Sequence, residues 1–151
     1  MRRSDREIVD RAEMDDILTR GKICHLGLIF DGRPYVVPMC YGYEDGYLYF
    51  HSAMDGRKVE IIRRGGEACF QVECDVEVRD AEEACGWTMG YASVIGYGNI
   101  ELMDEPARKL EAIDVLMRQY SGRKGWEVPP GQLESTLVFR LKITEMTGKR
   151  S

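Results

Sequence analysis

The sequence is poor in residues that would staple or anchor it. Its five cysteines, Cys24, Cys40, Cys69, Cys74 and Cys85, are odd in number and form no CxxC pair. Neither a disulfide framework nor a structural zinc site is expected, and the thiols should be reduced and mostly buried. No apolar run approaches the roughly 20 residues of a membrane-spanning helix. The two arginines of the opening MRRSDREIVD are followed by no apolar stretch that would make a secretory leader. A soluble, cytoplasmic protein without a membrane partner is therefore expected. Only two histidines occur, His25 and His51, well apart in sequence, which makes no metal-ligand cluster. GxSxG is missing, no Ser-His-Asp set can be assembled, and no paired carboxylates stand out. A net charge of -5 lacks the basic surface that nucleic acid demands, so no nucleic-acid partner is expected.

What the chain does have is enough apolar content for one buried core. Its 151 residues are 44% hydrophobic and 31% charged, which suits a single domain over residues 1–151. Ser4 and Glu7 have capping-box spacing, so a first helix is expected from there to Gly21. Three β-prone runs follow, Lys22 to Phe30, Tyr35 to Tyr43 and Tyr47 to Ala53, with turn signals at Asp31–Pro34 and Glu44–Gly46. They read as an antiparallel meander. A short helix over Gly56–Arg64 ends at Gly65-Gly66, and Glu67–Val78 supplies another one or two strands. Tyr91–Met103 is a long strand with Gly90, Gly96 and Gly98 in or beside it, which suits a bend or bulge. The helix opened by Asp104-Glu105-Pro106 carries Leu110, Ile113, Leu116, Met117 and Tyr120 at helical spacing and stops at Gly122. Asp104 is its expected N-cap. The last strand runs from Leu133 to Met146. About six strands with two or three helices fit a small, closed, mainly antiparallel β-barrel, because closure hides apolar edges.

The densest chemistry lies in the stretch YLYFHSAMDGRKVEIIRR. An aromatic strand ends at His51-Ser52, a small-residue turn follows, and Arg57-Lys58 open the helix. A helix N-terminus presents unpaired N–H groups and partial positive charge, so this corner suits a phosphate. It is no P-loop, since GxxxxGKS/T is absent. Asp55 opposes the phosphate reading if it caps the helix itself, and an ordinary capped helix with solvated cations is the other reading. Pro38, in the middle of YVVPMCY, cannot donate to a strand ladder, so it belongs at an edge or a bulge. Backbone groups beside it are then free for a flat heterocycle, or the position is a plain β-bulge. His51 is a satisfied half-buried histidine, a cofactor contact or an acid–base group; His25 reads as structural.

These segments, ICHLGL, GRPYVVPMCYGYEDGYLYFHSAMDGRKVEII, YASVIGYGNIEL and the terminal ITEMTGKR, together resemble the pyridoxamine 5'-phosphate oxidase-like FMN-binding split barrels. The nitroimidazole-resistance branch is the most similar. The resemblance runs from about Met1 to Arg150. It implies a six-stranded antiparallel Greek-key split barrel that forms a homodimer with FMN at the subunit interface. By the same resemblance the flavin ring lies along Val36, Val37, Pro38 and Met39, with Phe50, His51 and Ser52 meeting it from the adjacent strand. Arg57 and Lys58, assisted by Ser52, serve the phosphate, and Tyr91, Ser93 and Val94 reach the flavin from a later strand. The implied activity is electron transfer from reduced flavin to a small electron-poor acceptor such as a nitroaromatic ring. His51 would be the catalytic proton donor or positioning group, since an imidazole titrates near neutrality. The alternative is a non-catalytic flavin- or haem-binding protein, for the family also has deazaflavin-binding and haem-handling members. A C-terminal substrate signature like that of the biosynthetic oxidases is missing, which argues against pyridoxamine phosphate as the substrate.

Overall fold

The computed structural model describes residues 4–151. Among these, one antiparallel sheet is built from strands β1 (Glu7–Ile8), β2 (Cys24–Phe30), β3 (Arg33–Met39), β4 (Gly42–Glu44), β5 (Tyr47–Ser52), β6 (Gly66–Arg79), β7 (Thr88–Leu102) and β8 (Leu137–Arg150). The helices are α1 (Arg11–Arg20), α2 (Arg57–Arg64), α3 (Pro106–Ser121) and α4 (Pro130–Glu134). The spatial order is β3-β2-β6-β7-β8-β5-β4, with β1 added beside β8. β6, β7 and β8 are successive neighbours and β5 lies against β8, a Greek-key arrangement. The expected mainly-β split barrel is the fold observed. Two of the eight strands are additions to the six expected: the short β1, and the division of the second predicted strand into β3 and β4.

That division is the main departure from the sequence reading. β3 pairs only with β2, whereas β4 pairs only with β5. The ladder therefore does not close into a full barrel; the chain itself joins the two sheet ends through Cys40 and Tyr41. The backbone amides at this kink are held by α3 rather than by a strand. Tyr41 donates its N–H to Tyr120 Oη at 2.9 Å, and Tyr43 donates to Gln119 Oε1 at 3.3 Å. The Gln119 amide also donates to the Leu18 and Thr19 carbonyls at the end of α1. Tyr41 is fully buried, donates its hydroxyl to Leu18 O and has its pKa pushed up by burial.

The core fills the inside of this curved sheet. Leu26, Phe50, Phe70, Val72, Phe139 and Leu141 have no exposed surface, and the Phe50 and Phe139 rings stack at 4.9 Å. Met14, Ile17 and Leu18 of α1 and Val59, Ile61 and Ile62 of α2 are buried in the same core. The register shifts between Tyr97 and Gly98 opposite β8, where a bulge was expected.

Other boundaries moved for physical reasons. The first helix starts at Arg11, because Glu7 and Ile8 pair with Lys149 and Gly148 of β8 and Asp10 takes the N-cap, accepting from the Ala12 amide at 3.0 Å. Glu105, not Asp104, occupies the N-cap of α3. The final strand begins at Leu137, since Pro129 and Pro130 start α4. The C-terminal end of α4 is tied to α3 by buried Lys109, whose Nζ donates to the carbonyls of Leu133 and Thr136 at 3.2 and 2.8 Å. All five cysteines are free, but only Cys24 is buried. The expectation of mostly buried thiols fails because Cys69 falls on the outer face of β6 and Cys40 sits at the kink. Burial pushes the Cys24 thiol up to about 12. No helix among the described residues is long and apolar enough to cross a membrane.

The fit of α3 onto the kink has no spare room. A Cβ on Gly42 would lie 2.7 Å from the Val115 carbonyl and the Leu116 amide nitrogen. Gly42→Ala should therefore destabilise the protein by about 1–3 kcal/mol, lowering the midpoint of thermal unfolding by roughly 2–4 °C per kcal/mol for a chain of this size. An unchanged midpoint would mean that α3 can move off the strand freely.

Candidate functional site

The division of the segment Arg33–Glu44 leaves two free strand edges. One is the side of β3 away from β2. The other belongs to Phe50, His51 and Ser52, whose partner on that side, β4, ends its pairing at Tyr49. Both edges start at the Cys40–Tyr41 kink and diverge from it. Pro38 lies on the β3 edge, opposite His25 of β2, so its missing N–H costs no ladder bond. The edge reading of this proline is the one observed.

Alternation along β3 decides which side chains this edge can offer. Val36 and Pro38 face outward and are exposed, Val37 is half-buried, and Met39 is buried. On β5, Phe50 is fully buried in the core, His51 is exposed on the outer side, and Ser52 turns inward. Met39 and Phe50 therefore offer no side chain to the edge.

Ser52 is the most informative of these residues. It is the last residue of β5, is 7% exposed, and its Oγ has no hydrogen-bond partner. A buried, unpartnered hydroxyl is costly, which is why natural structures keep few of them. The Ala53–Gly56 turn then leads to α2. Gly56 takes the N-cap with φ 114°, a conformation that suits glycine, and no side chain caps the helix. Asp55 is exposed and does not fill that role, which removes the objection it raised. The amides of Arg57 and Lys58, at the first two helical positions, have no intrahelical acceptor. A buried hydroxyl without a partner, an uncapped helix end and two cations thus meet at one corner. These groups have the chemistry to hold a phosphate monoester: Ser52 Oγ and the helix amides would donate to its oxygens, and Arg57 and Lys58 would meet its charge.

Arg57 is held in place by aromatic rings that the sequence reading assigned no function. Its guanidinium lies 5.1 Å from the Phe30 ring centroid and 5.7 Å from that of Tyr35. Those two residues, with Asp31, Arg33, Pro34 and Arg57, line a cleft of about 440 Å³ beside the β2–β3 turn. The turn signal at Asp31-Gly32 was legible and places Phe30 opposite Arg33. Nothing local in the sequence linked that hairpin to α2.

Tyr91, Ser93 and Val94 are not brought to this corner within one chain. Val94 is fully buried core. Tyr91 and Ser93 lie on the outer face of β7 and line a separate cleft of about 450 Å³ with Gln71, Met89, Ile95 and Lys149. His25 borders that face: its Nδ1 is 3.0 Å from Gln71 Oε1, and the Gln71 amide reaches Glu73. Among the described residues, no group of three or more His, Cys, Asp or Glu side chains is arranged to hold a metal ion.

The described strands thus form an antiparallel barrel split along one edge, with an uncapped, basic helix start beside the split. The chain belongs to the pyridoxamine 5'-phosphate oxidase family, whose sequence profile matches residues 10–150. Similar solved structures include a candidate 5-nitroimidazole antibiotic resistance protein from Bacteroides thetaiotaomicron. It is 28% identical, with a TM-score of 0.83 over 95% of this chain and 86% of that one. An FAD-binding protein from Mesorhizobium loti is 25% identical, with a TM-score of 0.68 over 95% and 96% of the two chains. A flavocytochrome from Azotobacter vinelandii, 23% identical, superposes with a TM-score of 0.83 over 100% of this chain and 72% of its own; this last likeness is one of fold. Among curated proteins, none matches the chain by sequence.

The Ser52 hydroxyl gives a test that needs no ligand. Ser52→Ala should raise the stability of the ligand-free protein by about 1 kcal/mol, because the unpartnered buried group is removed. A loss of stability would show that the hydroxyl already has a partner, which would remove the main reason to place a phosphate there.

Proposed function

We propose that the protein is a flavin-dependent oxidoreductase that holds the FMN moiety in the split of its barrel, as a homodimer with the flavin at the subunit interface. The observation that carries this reading is the buried Ser52 hydroxyl without a partner, placed beside the uncapped, basic start of α2. The corner matches the phosphate end of the moiety. The free edge of β3 from Val36 to Met39 matches the hydrogen-bonding rim of the ring. Its relatives support the cofactor class: one solved neighbour at 25% identity is described as FAD-binding.

A bound flavin supplies electron transfer to a small acceptor, and a nitroaromatic ring is the acceptor class suggested by the neighbour from Bacteroides thetaiotaomicron. The protein's own residues do the rest. Arg57 and Lys58 neutralise the phosphate, the β3 backbone orients the ring plane, and Pro38 keeps that edge from recruiting another strand. His51 is exposed at the strand end beside Ser52, where its imidazole can give a proton to an acceptor or hold one in place. His51→Ala should lower turnover by about 10²-fold or more while flavin affinity changes little. Full turnover in a flavin-loaded variant would take the proton role away from His51. Flavin that binds but is neither reduced by a nicotinamide donor nor reoxidised by an acceptor would point to a binding module without catalysis.

The dimer reading rests on the outer face. Strand register sets Val36, Gly27, Cys69 and Tyr97 in one row across β3, β2, β6 and β7, and Pro38, His25, Gln71 and Ile95 in the next. Val36 is 61% exposed and Ile29, Ile95 and Tyr97 are also well exposed, an apolar face of the kind that marks an interface. β3 and β7 are about 14 Å apart on this face at the usual strand spacing. A two-fold pairing would carry Tyr91 and Ser93 of one copy toward the β3 edge of the other, which gives these residues a route to the flavin. Tyr97→Glu should convert a dimer into a monomer and release the flavin, both read by size-exclusion chromatography with light scattering and absorbance. A variant that stays dimeric and yellow would place the interface elsewhere.

A further inference from the structure

The function proposed above gives no part to His25, yet its surroundings equip this side chain to carry a proton. His25 Nδ1 lies 3.0 Å from Gln71 Oε1 and 3.7 Å from Glu73 Oε2. The Gln71 amide nitrogen donates to the same carboxylate oxygen, which turns the amide so that its carbonyl faces the imidazole. A carbonyl oxygen can only accept, so the proton of the neutral ring is held on Nδ1. Nε2 then carries the free lone pair. It can take a proton from water and pass it on, while Glu73 behind the ring stabilises the cation formed in between. A carboxylate orients a histidine for acid–base work in the same way, here with a glutamine between the two.

The place of His25 in the sheet gives that proton a destination. His25 is directly opposite Pro38, and side chains so paired stand about 5 Å apart on one face of a sheet. Pro38 faces outward on the free β3 edge, so His25 lies one strand in from the edge proposed for the flavin ring. Its side chain is 39% exposed. His51 stands at the other edge of the split, near the end of β5. Gln71 and Glu73 also line the cleft of about 450 Å³ that holds Tyr91 and Ser93, a volume within the range of small-ligand pockets.

Reduction of a nitro group by two electrons consumes two protons. The acceptor R–NO2 takes two electrons from the reduced flavin and two protons, one N–O bond breaks, and R–NO and water leave. We infer that His25 is a second proton donor in this step, giving the proton on its Nε2 while His51 gives the other, and that Gln71 is its positioning residue. Both rings end neutral and are protonated again by water. The inference rests on the oxidoreductase reading above and adds to it the source of the second proton.

Flavin-loaded wild type, His25→Gln and Gln71→Leu, chemically reduced and mixed with a nitroaromatic acceptor or with ferricyanide, test this. Ferricyanide takes an electron without a proton. NMR of the imidazole nitrogens in the flavin-free full-length proteins reads the tautomer separately. Neutral His25 should carry its proton on Nδ1 in wild type, and Gln71→Leu should lose that preference. His25→Gln should slow reoxidation by the nitroaromatic acceptor about 10²-fold, and Gln71→Leu should slow it by less. Neither should change flavin affinity or reoxidation by ferricyanide beyond about twofold, since neither calls for a proton from His25. Equal slowing with both acceptors would mean that the substitutions displace the flavin. That result, a proton on Nε2 in wild type, or full nitroaromatic turnover in His25→Gln would overturn the assignment and leave the flavin reading standing. If no flavin binds, or the nitroaromatic acceptor does not reoxidise wild type, the oxidoreductase reading falls and the role of His25 with it.

Discussion

The segment from Arg33 to Glu44 bonds to two different neighbours, β2 through its first part and β5 through its last. The free edges left by that division organise the rest of the molecule. A fully paired barrel would have satisfied the β3 edge and hidden it. Here the ring of strands is joined by the chain at Cys40–Tyr41, and the Tyr41 and Tyr43 amides donate to the Tyr120 and Gln119 side chains of α3. α3 therefore acts as a clamp on the kink, and the closeness of Gly42 to its backbone shows how little slack the clamp has. Pro38 keeps the open edge from pairing with a foreign strand, so one residue both permits the split and protects it.

The corner proposed for the phosphate depends on the same geometry. β5 loses its neighbour after Tyr49, which lets its last residues approach α2 without a strand in between. Ser52 is then buried against the core with its hydroxyl unpartnered, while α2 starts without a side-chain cap. Each feature weakens the ligand-free protein. A ligand that satisfies them recovers that energy on binding, so the stability of such a protein depends on the concentration of its ligand.

Much of this was legible in the sequence. Strand and helix identities followed from periodicity and turn signals, and Pro38 announced an edge or a bulge because a missing N–H has few other homes; the structure chose the edge. The cluster of Ser52, Arg57 and Lys58 followed from helix-end electrostatics. The break at Cys40–Tyr41 did not, since the apolar run continues through it and its amides are satisfied by side chains from α3, distant in sequence. The capping-box spacing of Ser4 and Glu7 misled for a related reason: β8 recruits Glu7 and Ile8 into the sheet, and Asp10 caps the helix instead. The exposure of Cys69 depends on which face of β6 it occupies, and the unpartnered state of Ser52 is a property of its surroundings. Phe30 and Tyr35 read only as strand ends; the packing of α2 beside their hairpin sets their rings against Arg57.

The most direct test of the account is the visible absorption spectrum of the purified protein, followed by release and counting of the bound chromophore. The account predicts the two visible-region bands of an oxidised flavin and a stoichiometry of about one flavin per chain, as two equivalent sites in a two-fold dimer require. A strong Soret band in their place, or a colourless protein that takes up no added flavin, would contradict it.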